Sequence, residues 1–164
     1  MVSISVLAII LSIAVPSFQG IMNSSRASAM SNELASALNF ARAEAVKRGT
    51  NVTVCKSQNP NATSPTCLTT AAWVNGWLIF VDGSTRGSVD GTDVRLKIGE
   101  PASVAGTGIT ADAVFANYIT FLPSGAALGS GTGSSGNFAV CVSGTQRSIN
   151  VGSVGSIQVS KGTC

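Results

Sequence analysis

The stretch Asn39–Cys55, NFARAEAVKRGTNVTVC, changes character in its middle. Up to Arg48 its apolar side chains recur at helical spacing, and from Asn51 polar and β-branched residues alternate to a cysteine. Lys47 and Arg48 stand where a helix dipole favours cations, Glu44 is placed to pair with Arg48 one turn on, and Gly49 is the usual residue just past a helix end. The stretch therefore reads as the end of a helix with a strand directly behind it. What lies on either side decides the fold.

Upstream, residues 1–15, MVSISVLAIILSIAV, carry no charge. At 1.5 Å per residue they cover about 22 Å, short of the roughly 30 Å hydrocarbon core of a bilayer. A secretory signal would need a basic start and a small-x-small cleavage site, and neither stands here or in the following PSFQGIMNSS. After Pro16 the apolar spacing continues through Phe18, Ile21, Met22, Ala29, Met30, Leu34, Leu38, Ala41 and Ala45. This predicts one helix to about Arg48, roughly 70 Å long, kinked or loosened at Pro16. Its first part, with Val6, Ile9, Ile10 and Ile13, is apolar all round and suits lipid or neighbouring helices. Its later part is amphipathic, and the stripe Leu34, Leu38, Ala41 and Ala45 is expected to pack on a sheet. The organisation expected is a hydrophobic helix half over 1–23 and a globular domain over 24–164.

Downstream, short alternating runs are bounded by turn residues: NVTVCKS, GWLIFVD, VRLKIG, YITFLP, NFAVCVS, RSINVG and SIQVS. Strands at this spacing, with so little helix signal, imply antiparallel sheet, and the fold class is α+β. Only 10% of the 164 residues are charged, and the net charge of +3 is spread without a block, which demands no polyanionic partner. There is no histidine, which removes Ser-His-Asp and Cys-His nucleophile systems and the usual zinc sites. No enzymatic role and no cofactor are expected. The four cysteines, Cys55, Cys67, Cys141 and Cys164, form no C-x-x-C pair and all lie in the β-rich part. They read as two disulfides made in an oxidising compartment. Of the three pairings, nearest-neighbour Cys55–Cys67 and Cys141–Cys164 closes short loops, each worth about 3 kcal/mol through the unfolded chain.

Several stretches resemble sites and read otherwise. GTGSSG at 131–136 matches G-x-G-x-x-G but precedes a strand, where a dinucleotide site needs a helix, so a flexible hairpin loop is expected. Asp82, Asp90 and Asp93 lack the spacing of a calcium loop and are expected to be solvated turn residues. Trp73 and Trp77 could stack on bases but suit a core better. The sequons at Asn23, Asn51 and Asn61 read as chance, and the polar segment KSQNPNATSPT between Cys55 and Cys67 as a pinned surface loop.

VSISVLAIILSIAVPSF resembles the hydrophobic helix of type IV pilins and type II secretion pseudopilins, with Pro16 at the family's helix-kinking proline. ALNFARAEAVKRGTNVTVC is similar to the helix-to-strand signature of the GspH/FimT group of minor pilins and pseudopilins, and NGWLIFVD, ITFLPSGA and FAVCVSGTQRSINVGSVGSIQV follow in the same order. The resemblance runs the whole chain and implies a type IV pilin-like fold, a long N-terminal helix packed on an antiparallel β-sheet domain. It implies a minor pilin with an assembly role at or near a fibre tip, held in the bacterial inner membrane by a single pass before assembly. Its partners would be other major and minor pilins or pseudopilins. The Gly-Phe-Thr-Leu-Ile-Glu-like processing signal has no counterpart here; aligning Pro16 puts about six residues of a mature relative before Met1, lengthening the apolar run to about 21, a spanning length. Alternatives within the family are a type II secretion pseudopilin and a DNA-binding competence pilin. The latter carry Gly-Arg-x-Arg near the C-terminus, where this chain has Gly155, Ser156, Ile157 and Gln158. The nearby cations Arg147 and Lys161 are the remaining candidates for DNA contact, and DNA is not the favoured partner.

Overall fold

A computed structural model describes the backbone of residues 2–91 and 93–164, and side chains from Phe18 onward except Thr92. Val6, Ile9, Ile10, Ile13 and Pro16 thus lie outside the residues whose side chains are described. Helix α1 runs over Val2–Arg48. Ala27, Ser31, Leu34, Leu38, Ala41 and Ala45 along it have no exposed surface. They recur every three or four residues and form one face. Most are small, so the helix axis comes close to the sheets beneath. Gly49 at φ 65° ends the helix, and Thr50 N–H returns to the Ala45 carbonyl at 3.3 Å. This closes a carbonyl that the helix itself cannot satisfy.

The β domain has two antiparallel sheets. The first is built from β1 (Val52–Lys56), β2 (Trp77–Val81), β3 (Val94–Gly99), β5 (Tyr118–Phe121) and β6 (Ala127–Gly129), in the order β3-β2-β1-β5-β6. The second is built from β4 (Thr107–Ala111), β7 (Gly136–Val142), β8 (Thr145–Val151) and β9 (Ile157–Thr163), in the order β4-β7-β8-β9. Helix α1 lies across β7, β8 and β9 of the second sheet and reaches β1 of the first.

Two strands, β4 and β6, exceed the runs legible in the sequence. TGITA alternates weakly around a glycine, and ALG is too short to alternate. Both are held by pairing with a neighbour, β4 with β7 and β6 with β5.

The main core lies between helix and sheets. Val52, Val54, Ile79, Ile119 and Phe121 of the first sheet meet Phe138, Val140, Ile149 and Val151 of the second beneath the helix face. Trp73, in a single 3-10 turn at Trp73–Asn75, stands edge-on to Phe138 at 5.0 Å between centroids, and Phe115 stacks on Phe138 at 5.5 Å. The opposite face of the first sheet is covered too. Cys55, Leu78 and Phe80 are buried there against Cys67, Val89, Ile98 and Tyr118. Cover on both faces explains why WLIFV is apolar without alternation.

The glycine-rich segment 131–136 corrects the hairpin expectation. It carries the chain from β6 in the first sheet to β7 in the second. It is packed against the turn after β4: a Cβ at Gly131 would lie 2.4 Å from the Ala113 carbonyl oxygen, and one at Gly136 would lie 2.3 Å from the Asp112 carboxylate. The same carboxylate accepts from the backbone N–H of Val114, Phe115 and Asn137. Glycine is required here for close approach of two backbones, with no bearing on phosphate binding.

Candidate functional site

Both disulfides secure exposed elements to buried ones. Cys55 of β1 is bonded to Cys67, with 5.6 Å between Cα atoms, and the Leu68 N–H donates to the Lys56 carbonyl beside it. The intervening loop is further held by Asn61 Nδ2, which donates to Glu100 Oε2 at 2.7 Å. Cys141 of β7 is bonded to Cys164, 6.0 Å between Cα atoms. Cys141, Gln146 and Gly162 stand side by side across β7, β8 and β9. The second bridge therefore crosses β8 and fastens the end of the edge strand β9.

The two candidates for DNA contact, Arg147 and Lys161, and the two positions that lack the family's arginines, Ser156 and Gln158, lie on opposite faces of the second sheet. Arg147 lies opposite Val140 on β7 and Lys161 on β9, and Val140 is fully buried, so both cations share the helix-facing side. Arg147 is half-buried and already engaged: Nη2 donates to Ser24 Oγ of the helix at 3.0 Å and Nη1 to the Gln146 carbonyl at 3.1 Å. Lys161 alone of the two is exposed. Gln158, opposite Asn150 and in line with Asn137, faces the other way, and Ser156 lines the same outer hollow of about 420 Å³. Arg147 and Lys161 cannot join a cation groove centred on Ser156 and Gln158.

Asp82 departs from the solvated reading. It is 5% exposed and accepts from Thr53 Oγ1 at 2.6 Å and from the Gly87 N–H at 2.8 Å. Thr53 in turn shares a hydrogen bond with Thr120 directly across β1 and β5. Buried polar groups need such partners, and this chain of three secures the segment after β2 over the outer face of the first sheet. Asp90 accepts from the Ser84 hydroxyl and Asp93 from the Gly83 and Asp90 N–H groups, which makes them turn residues. Among the described residues no group of His, Cys, Asp or Glu could hold a metal ion. Trp73 and Trp77 are both in the core, Trp73 Nε1 donating to the Phe115 carbonyl.

Sequence reasoning missed Arg42. Its Nε donates to the Gly125 carbonyl at 3.0 Å and its Nη2 to the Val154 carbonyl at 3.1 Å. One guanidinium thus joins the helix to the β5–β6 turn and the β8–β9 turn. The available signal was its place on the flank of the apolar stripe, one position past Ala41. Nearer the N-terminus the described helix loses its cover: Phe18 and Ile21 are 64% and 62% exposed. Among the described residues no helix is long and apolar enough to cross a membrane.

A long helix seated by its C-terminal half across antiparallel sheets, and continuing beyond them, defines a type IV pilin-like protein. A family model described as type II transport protein GspH matches residues 30–155. The chain belongs to the GspH family. The type IV minor pilin FimU of Pseudomonas aeruginosa strain PAO1 has a similar fold in two crystal forms. In one, the TM-score is 0.62 at 22% identity, covering 87% of this chain and 90% of that one. In the other, the TM-score is 0.59 at 20% identity, covering 81% and 91%. No curated protein matches the sequence.

Proposed function

We propose that this protein is a minor pilin subunit of a type IV pilus, with a structural and assembly role at or near the fibre tip and no catalysis. The observation that carries the proposal is the uncovered helix. Phe18 and Ile21 are exposed beyond the β domain, and the sequence before them holds no charge. Such a surface suits lipid before assembly and the helices of other pilins after it. On this reading residues 1–23, with Val6, Ile9, Ile10, Ile13 and Pro16, form the membrane and fibre half in the inner membrane. Residues 24–164 form a periplasmic domain whose disulfides suit that compartment. The likeness to a minor pilin favours a pilus.

The family description, type II transport, favours a second reading, a pseudopilin of a secretion system. Deleting the gene and scoring piliation, twitching, transformation and secretion in parallel separates the two. Loss of piliation and twitching with normal secretion is the expected result; a secretion defect alone would replace the first reading with the second. Ile9→Lys is expected to block fibre incorporation while the exported domain stays folded, since lipid and packed helices both reject the charge. Normal incorporation of that variant would count against the fibre role.

A further inference from the structure

We propose that the free edge of β9 is a docking strand for an extended segment of a neighbouring pilin, one that presents a carboxylate to Lys161 and an apolar side chain beside Val159. The proposal rests on the fibre-subunit reading and names the contact that reading requires of the β domain.

Strand β9 pairs with β8 on one side and, among the described residues, has no partner strand on the other. A free edge offers a row of main-chain donors and acceptors to any extended chain. The end of β9 is fastened through Cys164 to Cys141, so the edge is held in place beside β8. The row Phe138, Ile149, Val159 runs across β7, β8 and β9. The first two are fully buried, whereas Val159 is 41% exposed. The apolar layer therefore continues past the helix and stops uncovered at the edge.

Charge selects the occupant. Arg147 and Lys161 are directly opposite on the same face, a destabilising arrangement for like charges. Neither forms an ion pair; the ion pairs among the described residues join Glu44 to Lys47 and Arg48. Both partners of Arg147 are neutral oxygens, those of Ser24 and Gln146. A second copy of this chain would bring its own cations to the seam. An acidic strand beside β9 pairs with Lys161 and relieves its repulsion of Arg147. A nucleic acid fits less well, because Arg147 is half-buried against the helix and two phosphate contacts support little affinity.

The test places a photo-crosslinking amino acid at Ser160, on the exposed edge, in the gene expressed by its own bacterium, and recovers sheared fibres. The expected result is a crosslink to another pilin subunit, kept in Lys161→Arg and reduced several-fold in Lys161→Glu, with equal amounts of each variant in the fibre. A subunit that enters fibres and crosslinks from Ile21 but not from Ser160 would overturn the proposal and leave the fibre reading intact. So would a crosslink indifferent to Lys161→Glu, or one made only to nucleic acid. Absence of the unaltered subunit from fibres would sink both.

Discussion

The Nε of Arg42 donates to the main-chain oxygen of Gly125 at 3.0 Å, which adds a polar tie between the helix and the β5–β6 turn to the apolar packing beneath. The same guanidinium reaches the Val154 carbonyl of the second sheet's last turn. Packed against it is Gly155, at φ 78°, where a Cβ would lie 2.0 Å from the Gly125 oxygen and 2.7 Å from Arg42 Nε. By the sequence resemblance Gly155 stands at the glycine of Gly-Arg-x-Arg; in this chain it packs against the helix through Arg42. Arg42→Ala is expected to lower the unfolding free energy of the 24–164 domain by about 1–3 kcal/mol, since charged donors to two carbonyls are lost. Arg42→Lys is expected to recover only part, because an ammonium lacks the fork. Gly155→Ala is expected to cost at least as much as Arg42→Ala, through strain at positive φ and the clash. Urea denaturation of the three variants measures the order.

Leu38 has no exposed surface and faces both sheets from the middle of the helix stripe. Leu38→Asp buries a charge with no partner, at a cost of several kcal/mol against a total stability of about 5–15. The expected outcome is loss of cooperative unfolding and of near-ultraviolet circular dichroism. A soluble, cooperatively folded variant would show that this face is not essential to the core.

Asp82 holds Thr53 and the Gly87 N–H beneath the segment that covers Phe80. Asp82→Ala leaves the Gly87 N–H without its acceptor and Thr53 with Thr120 alone, and is expected to destabilise the domain by about 1–3 kcal/mol. Hydrogen exchange is expected to speed up first in residues 83–93 and in the outer face of β1 and β2. The helix and the second sheet are expected to keep their protection.

Ser156 and Gln158 line the outer hollow of the second sheet, away from Arg147 and Lys161. The unaltered domain is expected to show no retardation of DNA at 150 mM salt and micromolar concentration, roughly the limit for so few phosphate contacts. Ser156→Arg with Gln158→Arg is expected to create binding whose log affinity falls with log salt at a slope of about −1.8, two contacts' worth. Adding Arg147→Ala to that pair is expected to leave the slope unchanged, because Arg147 points to the helix side. Tight binding by the unaltered domain that vanishes with Arg147→Ala would restore the DNA reading.

The sequence by itself determined what repeats locally. The 3.6-residue spacing of Leu34, Leu38, Ala41 and Ala45, the cations before Gly49, and the alternation in NVTVC and NFAVCVS each follow from side-chain periodicity, which a single segment carries. The disulfides pair as neighbours, with separations of 12 and 23 residues. Tertiary structure alone decided what depends on residues far apart in the chain. β4 and β6 are strands because β7 and β5 pair with them, and GTGSSG changes sheets because Asp112 and its turn stand against it. Asp82 is buried because Thr53 and the segment with Gly87 close over it, and Arg42 finds Gly125 and Val154 at separations of 83 and 112 residues. Arg147 and Lys161 face the helix, opposite to Gln158, because one residue of register on a strand turns a side chain to the other face. Alternation along the strands already groups Arg147 with Ile149 and Lys161 with Val159; that this face lies beneath the helix, with Arg147 against Ser24, only the tertiary structure decided.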